Sequence, residues 1–442
     1  MIKKKKIENK FFLLLIIFVT SRIIVYNYFQ IKINTPNYGY HLLDITLLHK
    51  DLISSIIYLH SQPLLWNLFN GIIVKIFNGD INLISIFFNI YHYLLTFLII
   101  FICIKILREF YINKKIELFI FFFLAFNPSI IFFENIFSYT HTTLFFFTLI
   151  IYNIIKLFKS NELKYEIYLY FNLLILSMVW VLFQPILLLI IFLIIRFLTK
   201  TTKKIIFIFF IIFSISLTPM IKNKLIFDVF SSSTKKGQDF GTVFYDWQKY
   251  CGHPLNDQDQ FTKKYFDKYN KYFDHPSLVG EKAKFNNLGI IVLGENCFKI
   301  TLNRIFDEPL VYFAGRTKAF LASHGKFAFD YIYPNPIGWK KYYNNLEKLY
   351  ENKKIKMFRQ IIIFSLMMYI YFTIYSFLIS KKNEIKLRKG LFISSILYTY
   401  LLSVGTLAAG TEQERILYTG FIVNILFLII FFKNLFIRFN IK

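Results

Sequence analysis

Cysteine, acidic residues and nucleotide-binding glycine motifs are all scarce in this sequence. Three cysteines in 442 residues are too few for a disulfide framework. Cys251 and Cys297 fall in one long polar region, where they either pair, if their surroundings are oxidising, or remain two free thiols. No phosphate-binding glycine loop, paired-cysteine motif or serine nucleophile elbow is visible. These absences argue against ATP-driven transport and against hydrolases of the soluble type.

Charge is also in short supply, and one sign dominates. Charged residues make up 18% of the chain, whereas soluble domains average about a quarter. The 52 lysines and arginines outnumber the 26 acidic residues and give a net charge of +26. The basic residues lie in short clusters between apolar runs and form no separate basic face. The charge therefore does not indicate a nucleic-acid partner.

Long apolar runs, by contrast, are abundant. The chain is 56% hydrophobic, and many runs approach the roughly 20 residues that an α-helix needs to cross a bilayer core. The sequence therefore predicts an all-α polytopic membrane protein with about ten transmembrane helices. The predicted spans lie near residues 11–29, 81–104, 116–132, 142–158, 167–181, 183–199, 204–221, 357–380, 390–408 and 416–437.

The distribution of basic residues predicts the orientation of these spans. Lysines at residues 3–6 precede the first apolar run, which lacks a small-residue cleavage site and is interpreted as an uncleaved span. Every predicted cytoplasmic connection is basic, whereas the short outer loops hold only Lys32, Lys50, Lys75 and Arg415. We therefore expect a multi-pass protein of the plasma (inner) membrane with cytoplasmic N- and C-termini.

Three regions follow from this topology. Residues 1–221 form an N-terminal transmembrane region whose first outer loop covers residues 30–80. Residues 222–356 are polar and long enough for a small mixed extracytoplasmic domain. Residues 357–442 form a C-terminal transmembrane region. Within the first outer loop, the apolar stretch 63–77 is too short for a span and is interpreted as an interfacial or re-entrant helix.

Polar residues beside the predicted spans are candidates for function, because they are costly at a membrane unless paired or hydrated. Asp44 stands out since its neighbours are apolar, whereas Asp51 and Glu412 are interpreted as solvated carboxylates. The pair Gln62 and Pro63 is typical of a helix start. The histidines of the first loop have no spacing that fixes a metal site, so neither a metal nor another cofactor is predicted.

A set of short motifs has a recognisable order along the chain. Asp44 follows the first span, and His60–Leu65 forms a His-x-x-Pro-Leu element that opens an apolar helix in the same loop. The break at Asn127–Ser129, then Glu134, and the Glu-x-x-Arg of Glu412–Arg415 complete the order. It resembles the GT-C superfamily of membrane glycosyltransferases, notably the protein-mannosyltransferase-like enzymes of glycosyltransferase family 39.

The resemblance implies transfer of a sugar, with inversion, from a polyprenyl-phosphate carrier to a hydroxyl of a glycan, lipid or protein on the outer face. It implies Asp44 as the general base for that hydroxyl. Many of these enzymes carry an Asp-Glu pair in the first loop, whereas Ile45 follows Asp44 here. Arg415 is preferred for the leaving phosphate because arginine binds phosphate bidentately. The residues assigned to substrate binding are His60, Gln62, Glu134, Lys222, Glu412 and Arg415.

Three other functions compete with this one. A lipid-linked polysaccharide polymerase or ligase shares the polytopic plan and the lipid substrate, but usually has an arginine-rich outer loop. Here Arg304 and Arg316 stand alone among lysines. A polytopic transporter would favour inverted repeats, and none is evident. The third alternative is a non-catalytic membrane protein.

Overall fold

The protein is helical throughout the part that the computed structural model describes, which is residues 2–33, 41–199, 203–244, 246–251, 275–323, 386–407 and 413–439. No strand forms within these ranges, in agreement with the predicted all-α class. A 3-10 turn lies at Lys284–Asn286. The α-helices are α1 (Ile2–Asn27), α2 (Ile45–Lys50), α3 (Leu52–Ile57), α4 (Leu64–Ile76), α5 (Ile81–Glu109), α6 (Lys114–Ala125), α7 (Pro128–Glu134), α8 (Thr140–Ser160), α9 (Leu163–Val179), α10 (Pro185–Leu198), α11 (Lys203–Ser216), α12 (Thr218–Phe227), α13 (Lys236–Gly241), α14 (Trp247–Cys251), α15 (Gly289–Asp307), α16 (Pro309–Ser323), α17 (Lys386–Leu407) and α18 (Gln413–Phe439).

Three helical segments are long and apolar enough to cross a membrane. They are α5, α8 and the pair α11 and α12, which together run from Lys203 to Phe227. The pair α6 and α7 provides a fourth candidate span, bent by 50° at a short break. The described residues therefore contain three or four membrane-capable helices, and the predicted number of about ten spans is not confirmed.

The other predicted spans correspond to helices with shorter apolar parts. Apolar segments of 10–17 residues lie within α1, α10, α17 and α18, and α4, predicted as an interfacial or re-entrant helix, also has one. The predicted span 167–181 overlaps α9, which ends two residues earlier at Val179. The predicted span 357–380 lies outside the described residues.

The bend between α6 and α7 follows from two adjacent residues. The Asn127 side chain accepts hydrogen bonds from the N–H groups of Ser129 (2.9 Å) and Ile130 (3.3 Å), so it caps α7. Pro128 takes the first position of α7, where its missing N–H costs nothing. The chain therefore ends one helix and starts another at an angle, which leaves Glu134 buried at the end of α7.

Helix α8 lies at the centre of the bundle and packs against α5, α9, α17 and α18. Its fully buried residues Leu144, Phe147, Ile150 and Ile154 recur every three or four positions and form one apolar face. Gly390 lets α17 approach α8 closely, because a Cβ there would lie 3.3 Å from the Cα of Ile155.

The region after α12 differs in one respect from the sequence prediction. The mixed domain expected over residues 222–356 is helical in its described part, where α13 to α16 and their connections contain no strand. The reason is the spacing of buried residues in α15, where Ile290, Leu293, Cys297 and Thr301 recur every three or four positions. Cys251 and Cys297 form a disulfide that joins α14 to α15, which decides between the two alternatives left open by the sequence.

Candidate functional site

Asp44 lies at the start of α2 and caps it. Its Oδ1 accepts hydrogen bonds from the N–H (2.8 Å) and the hydroxyl (2.6 Å) of Thr46. Such a cap satisfies a donor that every helix start leaves unpaired. Within the described part of the chain, nothing donates a hydrogen bond to Oδ2, and the side chain is partly exposed. One carboxylate oxygen thus serves the helix, and the other is available to an incoming group.

The segment directly before Asp44 is fixed by Asn67 of α4. The Asn67 Oδ1 accepts a hydrogen bond from the Leu43 N–H (2.8 Å), and its Nδ2 donates to the His41 carbonyl (3.0 Å). Asn67 is fully buried, so water competes little for these bonds. The position of Asp44 therefore depends on α4 as well as on its own cap.

A buried arginine lies among aromatic rings beside this segment. The Arg415 guanidinium carbon is 4.9 Å from the ring centre of Tyr139 and 5.0 Å from that of Trp180. Tyr139 also contacts the rings of His41 at 5.5 Å and Trp66 at 6.2 Å. We call these five residues the Arg415 cluster. It joins the start of α18 to the loop segment that precedes Asp44, and aromatic faces stabilise its cation.

A second polar group is buried between α1 and α7. Arg22 and Glu134 form an ion pair with Nε–Oε1 at 2.8 Å and a hydrogen bond from NH2 to Oε2 at 3.0 Å. Both side chains are almost completely inaccessible to solvent. Arg22 also donates from NH1 to the carbonyl of Ala125 at 2.6 Å, at the end of α6. Glu134, assigned to substrate binding from the sequence, is thus held by α1.

The Glu134 carboxylate continues into a chain of hydrogen bonds. The Thr96 hydroxyl donates to Glu134 Oε2 (2.7 Å), so its oxygen accepts from the N–H at Nε2 of His141 (2.9 Å). The other ring nitrogen of His141 then accepts from the Tyr418 hydroxyl (2.9 Å). These residues, together with Arg22, form the buried network. It ties α1, α5, α7, α8 and α18 together.

His60 is buried where the first loop meets the segment after α12. Its Nδ1 lies 2.7 Å from the Thr234 hydroxyl and its Nε2 lies 2.8 Å from the carbonyl oxygen of Asn286. Burial lowers the pKa of His60 to about 3, and the nearby charge of Lys222 adds to this effect. The imidazole is therefore neutral at physiological pH, and both its nitrogens are engaged within the protein. This geometry favours a structural tie over contact with a substrate.

The other predicted binding residues have different surroundings. Lys222 donates a hydrogen bond from Nζ to the Leu59 carbonyl and so braces the loop from α12. Gln62 is buried, and its Oε1 has no hydrogen-bond donor among the residues described here. Helix α4 begins directly after Pro63, as expected for proline at a helix start. Glu412 lies outside the described residues, so its role stays a prediction.

Asp51 is about half exposed to solvent, in agreement with the sequence interpretation, but it also has contacts within the protein. It caps α3 through Ser54, and its Oδ2 lies 3.3 Å from Nε2 of His275. The hydrogen bonds from Ser54 and His275 hold the pKa of Asp51 below its usual value. The Asp51 carboxylate therefore helps to hold the segment that contains His275 against the first loop. The two residues are far apart in the sequence, so neighbouring residues do not indicate this contact.

No group of three or more His, Cys, Asp or Glu side chains could hold a metal ion within the described ranges. Comparisons with protein-family models, with curated proteins and with solved structures found no match. The features that bear on function are the first loop with Asp44, the Arg415 cluster and the buried network.

Sequence reasoning overlooked three residues of this region: Arg22, Thr96 and Tyr418. The position of Arg22 inside an apolar run could have indicated a buried ion pair, because a charged residue there requires a partner. Thr96 and Tyr418 offered none, since threonine and tyrosine are common in apolar helices of every kind. Their importance follows only from the packing of α5 and α18 around Glu134.

Proposed function

We propose that the protein is a membrane glycosyltransferase that moves a sugar from a polyprenyl-phosphate carrier to an acceptor hydroxyl, with inversion at the anomeric carbon. One observation carries the proposal. Asp44, whose Oδ2 accepts no hydrogen bond from the described residues, follows His41, which packs against the same Tyr139 ring that the buried Arg415 cation contacts. Such a transfer requires a base for the acceptor and a cation for the leaving phosphate.

The proposed step balances without a cofactor. The Asp44 carboxylate takes the proton from the acceptor hydroxyl as its oxygen bonds to the anomeric carbon. The bond from that carbon to the phosphate oxygen breaks, and the phosphate leaves with the electron pair. A positioned base typically accelerates such a step by about 10²–10⁴-fold. Oδ2 is the atom proposed for this role, because Oδ1 already accepts two hydrogen bonds from Thr46.

Arg415 is proposed to stabilise the negative charge that develops on the leaving phosphate. Its guanidinium is nearly inaccessible to solvent and lies between the Tyr139 and Trp180 rings. In such a dry environment a fixed cation interacts more strongly with developing charge than it does in water. Lys222 is the weaker candidate, because its amino group already donates to the Leu59 carbonyl.

The disulfide between Cys251 and Cys297 supports an outer location for the region that contacts the first loop. Disulfides persist in oxidising compartments and are rare in the cytosol. Because His60 and Asp51 dock this region onto the loop, both are proposed to face the outside. That is the side on which polyprenyl-linked sugars of this class are proposed to be consumed.

The test is transfer from a labelled donor. Membranes from cells that express the protein are incubated with radiolabelled polyprenyl-phosphate sugars, and membranes without it serve as the control. We expect label to move from the lipid fraction to a glycan, lipid or protein in the first sample alone. An absence of transfer with every sugar tested, in membranes where the folded protein is present, would contradict the proposal.

Transport is a second candidate function because of the buried network. Carboxylates and histidines within candidate spans often serve proton pathways, and His141 lies in such a chain beside Glu134. However, the Glu134 charge is paired with Arg22, which favours a structural role for the network. Proton-coupled uptake into sealed vesicles that contain the folded natural protein would support transport over glycosyl transfer.

A further inference from the structure

A long apolar groove lies between α1 and α5, outside the Arg415 cluster. Its volume is about 460 Å³, within the range of roughly 300–1,000 Å³ that is typical of ligand pockets. Along α1 it extends from Leu15 to Asn27, which corresponds to about 18 Å at the rise of an α-helix. Phe18 and Phe97 form part of its wall, with their ring centres 5.5 Å apart.

The groove opens at the surface of the bundle. Its rim residues Val19, Ile23, Ile90 and Leu94 are 46%, 54%, 64% and 55% exposed. Helix α5 is a candidate membrane span, and exposed apolar side chains on such a helix meet hydrocarbon chains. An elongated apolar space that opens towards the hydrocarbon suits a single lipid chain.

The inner wall of the groove carries no net charge. Arg22 lines it, but its guanidinium is paired with Glu134 at 2.8 Å. The two opposite charges compensate each other, so this wall does not attract a charged ligand. The wall therefore accepts an uncharged chain, and any charged part of the ligand has to lie at an end of the groove.

A cation lies at the end of the groove where α1 finishes. The Lys32 amino group is 5.8 Å from the ring centre of Tyr26, which lines the groove together with Asn27 and Asn89. Among the described residues Lys32 has no acidic partner. The chain is held in place here because the Ile33 N–H donates to the Asn89 side chain at 3.2 Å. A basic residue just beyond an apolar helix attracts the phosphate of an anionic lipid.

We propose that this groove is a binding site for an anionic phospholipid, with one acyl chain between α1 and α5 and the phosphate beside Lys32. The proposed ligand is a bulk membrane phospholipid. The charge of Lys32 at the end of the groove attracts an anionic headgroup, and the apolar lining offers no contacts specific for a sugar. The proposal is independent of glycosyl transfer and concerns residues that lie outside the Arg415 cluster.

The test uses the purified full-length protein in detergent and native mass spectrometry. Phosphatidylglycerol and phosphatidylcholine with identical chains are added separately, and the lipid-bound fractions are compared. We expect about fivefold tighter retention of phosphatidylglycerol, as a single lysine near the headgroup would give. Lys32→Gln should remove this preference and leave a weaker, headgroup-independent retention.

Two variants on α1 test the chain site. Val19→Trp should fill the groove and reduce retention of both lipids, whereas Leu13→Trp, on an exposed position of the same helix outside the groove, should not. Thermal unfolding of each variant shows whether it remains folded. If Val19→Trp misfolds, the headgroup preference and its loss in Lys32→Gln decide the matter. Equal retention of the two lipids by the natural protein would overturn the proposal, as would displacement of phosphatidylglycerol by equimolar polyprenyl phosphate.

Discussion

Removing one partner of the Arg22–Glu134 pair should destabilise the bundle far more than replacing both. Glu134→Leu leaves the Arg22 guanidinium buried with no counter-charge. Breaking a buried ion pair in this way costs about 3–5 kcal/mol, whereas exchange of both partners for apolar residues is often nearly neutral. The double variant Arg22→Met with Glu134→Leu should therefore recover most of the loss.

The assay is thermal unfolding of detergent-purified protein, followed by size-exclusion chromatography of the soluble fraction. The control is Glu162→Gln, which removes a pair with Lys164 in which the two side chains are 44% and 53% exposed. Surface pairs contribute about 0–1 kcal/mol, so this variant should behave nearly as the natural protein does. If the single and double variants of the Arg22–Glu134 pair lose stability additively, the two residues are not coupled and the reasoning is refuted.

Three further outcomes are expected. Arg415→Lys should retain part of the transfer activity and Arg415→Ala less, because a point charge replaces only part of a bidentate contact; equal rates would exclude the phosphate role. Cys251 and Cys297 should resist maleimide labelling until the protein is reduced, and replacing both with serine should lower stability by about 2–4 kcal/mol; labelling without reductant would contradict the disulfide. The pKa of His60 is lowered from 6.5 to about 3 in the folded state. Between these two pH values the unfolded chain therefore binds a proton that the folded protein does not bind. The free energy of unfolding should be highest above pH 6.5 and should fall as the pH drops towards 3. His60→Gln should flatten that part of the pH profile, and an unchanged slope would show that another group is responsible.

Elements defined by neighbouring residues could be predicted from the sequence. The apolar runs at 81–104 and 142–158 form α5 and α8 because a helix in a membrane satisfies its own backbone. The break at Asn127 and Pro128 was also predictable, since asparagine caps a helix start and proline suits the first position of a helix. The number of spans stays a prediction, because several apolar segments of the described helices are only 10–17 residues long and three or four described helices are long enough to span.

The site depends on contacts that are distant along the chain. His60 was assigned to substrate binding because of its motif, yet Thr234 and Asn286 occupy both its ring nitrogens. Asp51 was interpreted as solvated, yet His275 lies beside it. No periodicity or spacing in the sequence links residues so far apart, so tertiary packing alone decides these roles.

The proposed role of Asp44 is tested most directly by Asp44→Asn. Asparagine caps a helix about as well as aspartate, so the variant should keep the contacts with Thr46 and remain folded. It cannot take a proton, so the rate of transfer from the labelled donor should fall by about 10²-fold or more. The matched control is Asp80→Asn, an exposed aspartate that caps α5 through Asn82 and Leu83. We expect Asp80→Asn to transfer sugar at the natural rate. Transfer by Asp44→Asn at that same rate would contradict the proposed role of Asp44 as the general base.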